Sequence, residues 1–92
     1  MIRSFRSKAL ERFWWKGEVH RIDQRHAGKC NRILRALEDA REPAEMDIQS
    51  FRFHPLTGDQ TGRYSVKIDK NWRITFAWAM SDAVDVDYED YH

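Results

Sequence analysis

The feature of this sequence that most limits its fold is a change of hydrophobic period near Met46. Before it, apolar residues recur at intervals of three and four: Leu10, Phe13 and Trp14, then Cys30, Ile33, Leu34 and Leu37. That spacing lines one face of an α-helix. After it they recur every second residue, at Phe51 and Phe53, at Tyr64, Val66 and Ile68, at Trp72, Ile74, Phe76 and Trp78, and at Val84, Val86 and Tyr88. Alternation of this kind describes strands with one buried face. The predicted class is therefore α+β, two helices followed by several strands. Ser7 is placed to cap a first helix that runs through Lys16 and stops at Gly17, and Asp23 to cap a second that Pro43 ends. Met1–Phe5 reads as a short edge strand. Thr57–Gly62, Asp69–Asn71 and Ser81–Asp82 supply turn residues, and such short connections favour an antiparallel meander.

Ninety-two residues allow one domain, 1–92, and twelve aromatic residues give it a core. Its one cysteine, Cys30, excludes an internal disulfide and a multi-cysteine zinc site, so a cytoplasmic protein is expected. No apolar run approaches the roughly 20 residues of a membrane span, and the N-terminus lacks the apolar stretch of a signal peptide. The net charge of +1 hides an asymmetry. Residues 1–41 hold 11 Lys/Arg against 5 Asp/Glu, while residues 42–92 hold 5 against 10. Half of the late acids lie in the last eleven residues, so the rest of the chain is basic and suits a polyanion partner.

Alternation also has a chemical consequence. If the apolar parity faces the helices, the opposite face displays Arg52, His54, Arg63, Ser65, Lys67, Arg73 and Thr75. Phosphate contacts need cations arrayed over a surface, and a pleated sheet supplies such an array. His54 is either a surface turn residue or a proton-transfer group beside those cations. Arg73 is either half of a cross-strand ion pair or a two-pronged phosphate clamp. In the acidic tail, Asp85, Asp87 and Glu89 have the parity of a solvated edge, and the ligand pattern of a calcium loop is missing, so no metal is expected. Asp90, Tyr91 and His92 end the chain with three titratable groups. Cys30 reads as a helix core residue and Trp15 as a weak candidate for a partner patch. Glycine-rich phosphate loops and nucleophile elbows are absent, and no cofactor is expected.

Several segments together resemble a family: His54-Pro55-Leu56, Gly58-Asp59, Gly62, Tyr64-Ser65-Val66, Asn71-Trp72-Arg73-Ile74-Thr75-Phe76 and Tyr88-Glu89-Asp90-Tyr91-His92. They are similar to HigB, the toxins of the HigBA toxin–antitoxin systems in the RelE/ParE superfamily, and the likeness extends from the opening MIRSF to the last residue. The resemblance implies two N-terminal helices packed on a curved antiparallel sheet. It also implies a ribosome-dependent mRNA interferase, an endoribonuclease that cuts translated mRNA and is neutralised by a HigA-type helix-turn-helix antitoxin, through which alone it meets DNA. Carried over, the active positions are His54, Arg73, Asp90, Tyr91 and His92, with Arg52, Arg63 and Lys67 as RNA-binding residues. Two positions depart from many relatives: Thr57 replaces a lysine and Gln60 an arginine. They motivate an alternative, a catalytically weak homologue that serves mainly as an antitoxin-binding co-repressor. For the enzyme, the expected chemistry is metal-independent attack of the RNA 2′-hydroxyl on its own phosphate, driven by acid–base groups.

Overall fold

Ser7 and Gly17 bracket the first helix as the sequence predicts. In the computed structural model, which describes residues 1–90, α1 spans Lys8–Lys16. The Ser7 hydroxyl accepts from the Leu10 amide at 3.1 Å. Gly17, at φ 70°, turns the chain so that its amide reaches the Phe13 carbonyl and the Glu18 amide reaches that of Arg12. These bonds satisfy the last helical carbonyls, and a left-handed glycine makes them at no steric cost. The second helix, α2, spans Gln24–Asp39, with the Asp23 carboxylate accepting from the Arg25 amide. It ends at Asp39, ahead of Pro43, which opens a 3₁₀ turn over Pro43–Met46. The stripe Cys30, Ile33, Leu34 and Leu37 is wholly buried, and His26, four residues before Cys30, continues it.

Four strands follow: β1 (His54–Pro55), β2 (Arg63–Lys67), β3 (Trp72–Ala79) and β4 (Asp82–Asp90), in the spatial order of the chain and all antiparallel. Val66, Ile74, Phe76 and Val86 project from one face onto Leu10, Ile33, Leu34 and Leu37 of the helices, and none of the eight retains exposed surface. Burying each such side chain contributes about 1.5–3 kcal/mol, so this layer holds the helices on the sheet. Among the described residues no helix is long and apolar enough to cross a membrane.

The predicted pattern fails in three places, each for a local reason. Phe51 and Phe53 do not lie in a strand. Phe51 closes a 3₁₀ turn, Gln49–Phe51, and Arg52 adopts a left-handed conformation at φ 51°, so only His54 and Pro55 pair with β2. Met1–Phe5 does not form a strand of its own. It runs parallel to β4 through isolated bridges, Ile2 to Ala83 and Phe5 to Val86. Val84 does not share the face of Val86 and Tyr88. A β-bulge stands between them: Thr75 faces Asp87 but Ala77 faces Val84, so β4 carries one extra residue, and Asp85 sits at φ 52°. Ala83 and Val86 are therefore the inward residues on either side of the bulge. Such an insertion bends the strand and increases its twist, which curves the sheet.

Candidate active site

Strand register places His54, Lys67 and Arg73 on the sheet face turned away from the helices. His54 pairs with Ser65, Ser65 with Thr75, and Thr75 with Asp87, which makes one row across all four strands. The next row is Lys67, Arg73 and Glu89. With strands about 4.8 Å apart, His54 and Thr75 stand about 10 Å from each other. Lys67 directly opposite Arg73 is a like-charge pair, which destabilises a sheet unless an anion joins it.

Glu89 is one such anion. Its carboxylate accepts from Arg73 Nη2 at 3.3 Å and from the Thr75 hydroxyl in a short hydrogen bond. The side chains of Arg73 and Glu89 retain 15% and 21% exposure, so the pair is largely shielded from water. Burial alone would raise the Glu89 carboxyl, but the bonds from Thr75 and Arg73 outweigh it and hold the group below its ordinary value. Glu89 is thus ionised at neutral pH.

Arg63 departs from its expected place. It is only 8% exposed, and Nη2 donates inward to the Thr75 hydroxyl at 3.0 Å and to the Asp85 carbonyl at 2.8 Å. Its Nε and Nη1 are buried and make no hydrogen bond among the described residues. Burial and the neighbouring Arg6 push this guanidinium below its ordinary value, against the pull of Glu89, Asp87 and Asp85. Arg63 therefore caps the bulge from the site side, while Ser4 holds the Asp85 amide from the other at 2.9 Å. Its charge lies within this face, but burial leaves it little open surface. Ser65 and Thr75 are buried too, so this face is less open than alternation alone suggests.

His54 is exposed, and its Nδ1 lies 3.1 Å from the Arg52 carbonyl. A carbonyl only accepts, so Nδ1 carries the proton and Nε2 of the neutral ring keeps a lone pair. The left-handed turn at Arg52 is what directs that carbonyl back to the ring. Arg52 is itself exposed, and Lys67 is half-buried. On α2, Lys29 donates to the Ser50 carbonyl at 2.9 Å, and its ammonium is lowered by burial and then by Arg32, Lys67 and Arg52 nearby. Cations from the helix, the 50–54 segment and β2 therefore converge beside the row. Asp90 is exposed at the end of β4, opposite Trp72 in register. Tyr91 and His92 lie outside the described residues.

Sequence reasoning missed Glu89, which it placed on a solvated edge. A regular hairpin closed by Met80 and Ser81 would set Arg73 opposite Tyr88, and only the bulge moves Glu89 into register with it. It also missed His26, although the spacing to Cys30 placed that residue on the buried stripe.

The fold defined by this sheet and its helices is shared with several bacterial toxins. The YoeB/ParE toxin from Agrobacterium tumefaciens superposes with a TM-score of 0.64 at 20% identity, over 99% of this chain and 100% of that one. The YoeB dimer from Staphylococcus aureus gives 0.61 at 19%, over 99% and 97%. A point mutant of YafQ from E. coli gives 0.60 at 14%, over 99% and 94%. At these identities the likeness establishes the fold, that of the RelE-like toxins. Residues 3–92 match the family model described as the RelE-like toxin of the type II toxin–antitoxin system HigB, and the chain belongs to that HigB-like toxin family. A curated relative, Endoribonuclease HigB of Proteus vulgaris, is 38% identical over 92 residues, the full length of both chains. Membership of a toxin–antitoxin family implies a cognate antitoxin as partner.

Proposed function

We propose that this toxin is an endoribonuclease that cleaves translated mRNA on the bacterial ribosome, without a metal, and is silenced by a HigA-type helix-turn-helix antitoxin. One observation carries the reading. The row Lys67–Arg73–Glu89 lies beside His54 on one sheet face of a chain 38% identical, end to end, to an endoribonuclease. Charge for a phosphate and a base for a hydroxyl are thereby within one surface.

RNA is cut along this route when its 2′-hydroxyl gives up a proton and attacks the adjacent phosphorus. A bond forms from O2′ to phosphorus, the bond from phosphorus to O5′ breaks, and O5′ takes a proton. The products are a 2′,3′-cyclic phosphate and a 5′-hydroxyl. His54 Nε2, with its free lone pair, suits the first proton transfer, and His92 the second. Arg73 stabilises the charge that develops on the phosphoryl oxygens. Arg52 and Lys67 hold the RNA backbone, and the buried Arg63 adds positive field within the same face. Asp90 orients or accepts a proton, and Tyr91 stacks on an unpaired base. The test is the chemistry of the ends: purified toxin acting on programmed ribosomes leaves cyclic phosphates at codon-periodic cuts. Products bearing 5′-phosphates would rule out the mechanism.

A further inference from the structure

Behind the candidate site, on the helix side of the same two strands, lies a polar chain that the proposed chemistry does not use. His26 of α2 is 1% exposed, and both ring nitrogens are engaged. Nδ1 lies 2.7 Å from the Tyr88 hydroxyl and Nε2 lies 2.7 Å from an Asp69 carboxylate oxygen. The second Asp69 oxygen accepts from the amides of Asn71 and Trp72, both at 2.9 Å. The Asn71 amide, then the bond from His26 and the Trp72 amide, outweigh burial and hold the Asp69 carboxyl below its ordinary value, so it accepts and does not donate. Nε2 therefore donates to that carboxylate, and Nδ1 shares a hydrogen bond with the Tyr88 hydroxyl. The Tyr88 oxygen in turn faces the Asp23 amide at 3.4 Å. Around this chain, Trp72 and Tyr88 stack with centroids 4.5 Å apart, and the imidazole lies 5.7 and 5.9 Å from the two rings.

We infer that His26 is a positioning residue for the toxin's active face, an inference that rests on the endoribonuclease reading. Trp72 immediately precedes Arg73, and Tyr88 immediately precedes Glu89. Side chains alternate across a strand, so pinning Trp72 and Tyr88 beneath the sheet fixes where Arg73 and Glu89 emerge above it. The same contacts fix the end of β4, where Asp90 leads to Tyr91 and His92. Strand ends fray unless tied, and here α2, the 69–71 turn and β4 are tied through one imidazole.

Packing alone does not account for the residue. A buried polar pair contributes little beyond an apolar pair of the same shape, because its desolvation offsets its bonds. What the bonds add is a unique geometry. Misplacing a reacting group by about 1 Å costs as much as a hundredfold in rate, so loss of this anchor should register in catalysis before it registers in stability.

The decisive variant is the double replacement His26→Leu with Tyr88→Phe, which removes both members of the His26–Tyr88 bond, leaves an apolar contact there, and releases the Asp69 carboxylate, 44% exposed, to water. It should melt within a few degrees of the wild type and bind the cognate antitoxin as tightly. The amide resonances of Arg73, Glu89 and Asp90 should nevertheless shift, and kcat on programmed ribosomes should fall about tenfold at unchanged KM. His26→Gln retains a donor near the Nε2 position and should recover part of kcat; it also serves if the double variant does not fold. Wild-type kcat with unmoved Arg73 and Asp90 resonances would overturn the inference. A wild-type protein that cuts no RNA refutes the endoribonuclease reading instead, and the resonances still decide whether His26 sets the geometry.

Discussion

Glu89→Gln removes one charge and almost no volume from the center of the candidate site. In the wild type the carboxylate accepts from Arg73 at 3.3 Å and from the Thr75 hydroxyl. Hydrogen bonds to a charged group are worth about 1.5–3 kcal/mol each before the cost of stripping water from the carboxylate. The side chain keeps 21% exposure, so solvent screening discounts the pair further, and a net stabilisation of about 1 kcal/mol remains. In a domain of this size that corresponds to a melting temperature lower by about 4–8 °C in the variant. The pH dependence carries the sharper test. Glu89 is depressed below its ordinary value of 4.5 in the folded protein. Its contribution is therefore fully present above the unfolded value and is lost as pH falls through the folded one. Urea titrations of both proteins at pH 7 and near pH 3 measure this directly. The difference between them should be about 1 kcal/mol at neutral pH and should shrink in acid. An equal difference at both pH values would show that the Glu89 carboxylate is not held by Arg73 and Thr75.

Two further outcomes follow from the site. A chain lacking Asp90, Tyr91 and His92 should fold, since Asp90 is exposed at the end of β4, yet should not arrest growth when induced. Arrest by the truncated form would remove the tail from the mechanism, and a full-length chain that causes none would favour the co-repressor reading. Ribosome binding should weaken steeply with salt, and the pair Arg52→Ala with Lys67→Ala should lessen the log–log slope by about 1.4 if both contact phosphates of a single strand. A flat wild-type response would count against an RNA partner.

Capping and periodicity made the helices legible. Ser7, Gly17 and Asp23 act at the ends they mark, and the stripe from Cys30 to Leu37 is the buried one. Those signals are local, set by residues within one helical turn. Strand existence was legible from alternation, but the pairing of Arg73 with Glu89 was not. It depends on a bulge at Asp85, which is held open by Arg63 from another strand and by Ser4 from the chain's beginning. Neither contact leaves a trace in the spacing of β4 itself. The 50–54 segment escaped for a similar reason: Phe51 and Phe53 alternate as strand residues do, while Lys29 on α2 holds the Ser50 carbonyl and Arg52 turns left-handed. His54 reaches its place by that turn rather than by strand pairing before it.

The borders of the sheet have a consequence for how a partner can hold this protein. Along β4, backbone groups that would otherwise face outward are taken by the first residues of the chain, with Arg3 and Arg6 donating to Ala83 and Val86 at 2.8 Å. On the other border β1 is two residues long and ends in Pro55, which has no amide to offer. Short borders, proline and a covering segment are the usual guards against a strand being added from outside. Such guards disfavour edge-to-edge strand pairing between copies of the chain. A strand arriving from outside therefore finds the backbone already taken beside Ala83–Val86 and no amide to meet at Pro55.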